Sequence, residues 1–128
     1  MIVYKWLHPI PLQFGACFSA VEFYREMRQL KCDDPPSFTC DKSAAVHTFE
    51  GSDDSIRMLL TLDPVAAAAQ DGIEIAALLA HEAVHVMQEC RRWMGEKEPG
   101  SEWEAYTVQH VAQEFMGWYQ DYMKKGAR

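Results

Sequence analysis

The chain has 128 residues, 48% of them hydrophobic and 24% charged, which suits one globular domain with a buried core. That balance excludes a disordered tail, a collagenous repeat and a low-complexity linker. The formal charge of −7, from 19 acidic against 12 basic residues, argues against a nucleic-acid partner, because duplex binding rests on a basic face that neutralises phosphates.

Met1 to Leu7 is a short apolar run suited to a strand, closed by Pro9 and Pro11. Ser19 and Glu22 form a Ser-x-x-Glu capping box, and Val21, Phe23, Tyr24, Met27 and Leu30 carry a helix from there to about Lys31. Asp33-Asp34-Pro35-Pro36-Ser37 interrupts the chain. Ala45 to Glu50 and Ile56 to Leu62 flank Gly51-Ser52-Asp53-Asp54-Ser55, turn chemistry between two apolar runs, and predict a hairpin. Asp63-Pro64 reads as a cap and first-turn proline opening a short alanine-rich turn, Val65 to Gln70. Asp71-Gly72-Ile73-Glu74 offers a second capping box, starting a long helix that runs to about Met94 and stops at Gly95. After the loop Glu96-Lys97-Glu98-Pro99-Gly100, Ser101-Glu102-Trp103-Glu104 provides a third box for a last helix ending near Lys124. With no repeat and no long linker, this order predicts a single α+β domain over residues 1–128. Its small antiparallel or mixed sheet has a hairpin packed on the N-terminal helix.

Four cysteines (Cys17, Cys32, Cys40 and Cys90) contain no CxxC pair and match no zinc-ribbon or disulfide-scaffold spacing, so they read as free, mostly buried thiols in a reducing compartment. The apolar start is broken by His8, Pro9 and Pro11, which does not fit a signal peptide. A soluble, cytoplasmic protein with no membrane partner is expected.

The chemistry lies in the long helix, which contains His81-Glu82-Ala83-Val84-His85, an HExxH pattern. Residues i and i+4 stand one above the other on a helix, so both imidazoles can reach one metal ion. Glu82 is rotated about 100° from His81, where it can approach water at that metal as a general base without becoming a ligand. Between Ile75 and Met87 the only polar residues are His81, Glu82 and His85. A helix apolar nearly all round is a buried one, and buried polar groups need partners. Catalytic zinc normally has three protein ligands. The extended HExxHxxGxxH form is absent, since position 88 is Gln and position 91 is Arg. The acidic residues downstream are Glu89, Glu96, Glu98, Glu102, Glu104 and Glu114.

His-Glu-Ala-Val-His, followed 19 residues after its second histidine by Glu104-Ala105, resembles the gluzincin branch of HExxH zinc metallopeptidases, in a minimal form of phage or prophage type. The resemblance covers residues 75 to 109. It implies a zincin-like fold with a buried motif helix and a ligand-bearing C-terminal helix. It also implies Zn2+ held by His81, His85 and Glu104, and Glu82 as the base in peptide-bond hydrolysis. Glu102 is the alternative third ligand, and Glu104 has a second reading as the partner of a Ser101 cap. Larger gluzincins carry an aspartate four residues after the ligand glutamate, where this chain has Val108, with Thr107 and Gln109 beside it. Tyr106 and His110 are oxyanion candidates by type alone.

Ile56 to Leu62 reads either as the exposed edge strand to which zincins add an extended peptide, or as plain sheet core. His8, His47 and Cys90 read as structural, and Trp93, Trp103, Trp118, Tyr119 and Tyr122 as core contacts. Two other functional classes share the pattern. One is a catalytically inactive zincin-like binding or regulatory module. The other is a deformylase-like metal amidase, with Cys40, 41 residues before His81, as a ligand. A chain this short leaves a zincin cleft open on one side. That implies weak activity on small peptides, or a partner or second copy that closes the site.

Overall fold

The protein is described by a computed structural model covering residues 2–7, 10–50 and 55–126. His8, Pro9 and residues 51–54, on which most of the expected turn falls, lie outside the described residues. The contacts of the chain gather into two compact units, Met1–Asp71 and Gly72–Arg128.

The first unit contains β1 (Tyr4–Trp6), β2 (Leu12–Cys17), α1 (Ala20–Gln29), β3 (Ala44–Glu50), β4 (Ile56–Leu62) and α2 (Pro64–Ala67). Its sheet has the order β1-β2-β4-β3, with β2 parallel to β4 and the other two pairings antiparallel. The α+β class and the mixed sheet are therefore present. β3 and β4 form the expected antiparallel pair, with Val46 opposite Leu60 and Thr48 opposite Met58. β2 has no counterpart among the predicted elements, because Pro9, Pro11 and Gly15 mask a strand pattern. Gly15 is needed there: a Cβ would lie 2.8 Å from the Val3 carbonyl oxygen on the neighbouring segment.

The presence of β2 decides between the two readings of Ile56 to Leu62. β4 is an inner strand between β2 and β3, and Met58 to Leu62 are all buried. It is sheet core and not an exposed edge, since both its hydrogen-bonding sides are occupied. β1 and β3 are the edges.

α1 starts where its cap requires, with the Glu22 amide donating to Ser19 Oγ at 3.3 Å. Phe23 and Met27, one turn apart, are buried in a cluster with Cys17 and Leu59. Full burial of such a side chain contributes about 1.5–3 kcal/mol. The Phe23 ring lies 5.0 Å from the ring of His47, which joins α1 to the β3–β4 hairpin. His47 itself is a core histidine, its Nε2 2.9 Å from the Phe38 carbonyl oxygen and 3.2 Å from Thr61 Oγ1. Asp63 caps α2 by accepting from the Val65 amide at 2.9 Å, with Pro64 in the first turn.

The second unit is α3 (Gly72–Met94) and α4 (Ser101–Gly126), packed together through a short loop. α3 stops in a Schellman motif: Glu96 N–H donates to the Arg91 carbonyl and Gly95 N–H to that of Arg92, both at 3.1 Å. Gly95 has φ +72°, the left-handed conformation that the motif demands and that glycine adopts without strain. Ser101 is already helical, and the Glu104 amide donates to the Gly100 carbonyl at 3.1 Å. The helix therefore starts one residue early, with Gly100 before its first turn, and the expected Ser101 capping box does not form.

Two further expectations change in this unit. α3 is not buried all round. Ile75, Leu79, Glu82, Ala83, Val86, Met87 and Cys90 are buried, whereas Ala77, His81 and His85 are exposed. Four of the ten apolar residues between Ile75 and Met87 are alanines, whose small side chains make exposure inexpensive. The expected aromatic contacts hold in part: the ring of Trp118 lies 6.2 Å from that of Phe115, which is fully buried with Val111. Trp93 is 47% exposed, and Trp103, Trp118, Tyr119 and Tyr122 are half-buried. Among the cysteines, Cys17 and Cys90 are buried, Cys32 is half-buried and Cys40 is exposed. No helix among the described residues is long and apolar enough to cross a membrane.

Candidate metal centre

α3 presents His81 and His85 on one exposed stripe, as their i, i+4 spacing dictates. Their rings meet edge to face, with centroids 4.9 Å apart at 81°. The two Nε2 atoms converge to 3.2 Å. Zinc–nitrogen bonds of about 2.0–2.1 Å at a tetrahedral angle place two ligand nitrogens about 3.3 Å apart. That separation fits a hydrogen bond between the two rings and, equally, two ligands on one edge of a zinc tetrahedron, a metal their nitrogens suit. The far nitrogen of His85, Nδ1, lies 3.0 Å from Gln88 Oε1. This is the kind of outer contact that orients an imidazole ligand.

Glu82 projects from the adjoining, buried face of the same helix and is 5% exposed. The angular step of one residue separates it from the histidine stripe, as the motif requires for a base that is not a ligand.

Glu104 is placed elsewhere. Its Oε2 accepts from Arg91 Nη1 at 3.0 Å, with both side chains about one-third exposed (36% and 31%). Arg91 stands six residues beyond His85, about 9 Å along the helix axis and about 120° around it. The structure thus joins His81 and His85 but ties Glu104 to a different stripe of α3. Among the described residues no group of three or more His, Cys, Asp or Glu side chains is gathered around a common point.

The remaining candidates are dispersed. Glu102, Glu96 and Glu98 are exposed at or before the start of α4. Glu89 is half-buried, with Arg92 Nη2 at 3.3 Å from its Oε2 but not aligned for a hydrogen bond. Glu114 is half-buried, while His110 and Tyr106 are exposed, the latter to 65%. On α4, Thr107 is buried, Val108 half-buried and Gln109 exposed. Cys40 is exposed in a loop of the first unit with φ +53°. Cys90 is fully buried, and burial pushes its thiol up to about 12, as befits a packing residue.

Two residues of the arrangement were absent from the sequence-based set. Gln88 carried a usable signal: three residues after His85 on a helix, it had to lie beside it. Arg91 carried none, because its partner is reached only across the α3–α4 packing. No protein-family model, curated protein sequence or solved structure matches the chain.

Proposed function

We propose that the chain is a minimal, gluzincin-like zinc metallopeptidase. The observation that carries this reading is the convergence of the two motif imidazoles to 3.2 Å, the spacing of two ligands on one tetrahedral ion. His81 and His85 hold the metal through Nε2. Glu104 is the third ligand once it leaves Arg91, with Glu102 as the alternative from the same turn. Bound zinc supplies Lewis acidity, polarising a peptide carbonyl and acidifying water. Glu82 takes a proton on its carboxylate and delivers it to the departing amine. The substrate is a peptide or protein, and a partner or second copy completes the cleft. The expected compartment is the cytoplasm.

Bound metal and chelator-sensitive peptide cleavage test this together. Glu82→Gln keeps zinc and lowers turnover by about 10²–10⁴-fold, the usual worth of a general base. Glu104→Ala weakens zinc binding. Stoichiometric zinc without cleavage of any peptide in a broad library would favour the binding module. Zinc lost on Cys40→Ser but kept on Glu104→Ala would favour the deformylase-like ligand set.

A further inference from the structure

We infer that Gln88 is the positioning residue of the histidine pair, setting the tautomer of His85 and, through it, that of His81. The consequence for zinc rests on the metallopeptidase reading; the assignment of tautomers does not.

Gln88 Oε1 lies 3.0 Å from His85 Nδ1. A carbonyl oxygen only accepts, so the proton is on Nδ1. A neutral imidazole carries a single proton, which leaves His85 Nε2 with its lone pair. That lone pair faces His81 Nε2 at 3.2 Å. Two lone pairs at that distance repel, so the proton between them belongs to His81, which donates. The pair is therefore asymmetric. His85 already presents the bare Nε2 that a metal requires. His81 carries its proton on Nε2 and must move it to Nδ1 before it can ligate.

His81, His85 and Gln88 occupy positions i, i+4 and i+7, one continuous stripe of α3. All three are exposed. Burial does not immobilise the Gln88 amide, so its hydrogen bond to His85 is what orients the two side chains. An exposed neutral imidazole otherwise favours the Nε2–H form. The contact with Gln88 thus holds His85 in the form that water alone disfavours.

Long-range proton–nitrogen NMR correlations on zinc-free, histidine-labelled protein at about pH 8, above the ordinary imidazole range, read the tautomers directly. In the wild type His85 shows the Nδ1–H pattern and His81 the Nε2–H pattern. Gln88→Glu, which still offers an acceptor, preserves both, whereas Gln88→Leu returns His85 toward Nε2–H. Zinc affinity by calorimetry falls about tenfold or more in Gln88→Leu and is retained in Gln88→Glu. An Nε2–H pattern for His85 in the wild type, or one unaltered by Gln88→Leu, overturns the assignment. Unchanged zinc affinity in Gln88→Leu overturns its bearing on the metal. If the tautomers follow Gln88 but zinc binding is indifferent to His81→Ala and His85→Ala, the metallopeptidase reading fails and the tautomer assignment stands.

Discussion

At the scale of single residues, the thiols show how burial controls reactivity. Burial pushes Cys17 up to about 11 and Cys90 up to about 12, from an ordinary 9.0. For Cys17 a hydrogen bond from the Ser19 backbone, which favours the thiolate, offsets only part of that rise. A thiol is neutral when protonated, and here the folded state holds its proton to higher pH than the unfolded chain. Its contribution to stability is therefore complete below about pH 9 and is lost as pH rises through the folded values. The unfolding midpoint should be level up to about pH 9 and fall from there towards pH 11. The fall should be shallower in Cys90→Ala, measured by thermal melts across that range. An equal slope in the two proteins would remove Cys90 from the account.

At the scale of elements, α3 serves two purposes on different stripes. One stripe carries the histidine pair and Gln88. Another carries Arg91, which holds the first turn of α4 through Glu104. An ion pair this exposed contributes about 0–1 kcal/mol to stability, so its loss should hardly affect the fold. Its effect on metal binding is the larger one under the proposed function, because Glu104 cannot serve Arg91 here and a metal at His81 and His85 at once. Arg91→Ala should therefore tighten zinc binding by calorimetry while leaving the unfolding midpoint nearly unchanged. Zinc affinity that does not rise would mean that Glu104 is not drawn between two partners.

At the scale of the whole molecule, a metal that binds only the native state stabilises it by mass action. With free zinc about 100-fold above its dissociation constant, the gain is about 2.7 kcal/mol. For a chain of this length that raises the unfolding midpoint by about 10 °C. Glu82→Gln should keep the rise, and His81→Ala and His85→Ala should abolish it. A wild-type midpoint indifferent to zinc and to chelator would remove the metal from the proposed function.

Much of the architecture follows from local chemistry and was legible in order along the chain. Ser19, Asp63 and Gly95 mark helix ends because caps and left-handed turns involve only neighbouring residues. Alternating and continuous apolar runs gave the hairpin, and the i, i+4 rule brought His81 and His85 together before any tertiary contact was considered. Gln88 belonged to the same local logic. Tertiary structure decided the rest. β2 became a strand because Gly15 allows close passage beside Val3, and its pairing turned β4 from a candidate edge into the centre of the sheet. The exposed histidine stripe depended on which side of a nearly uniform apolar helix found partners. Glu104 went to Arg91, not to a cap or to the histidines, because a contact across two packed helices depends on their register. Spacing along one helix determines a pair; a third group from another element is placed only by the packing between them.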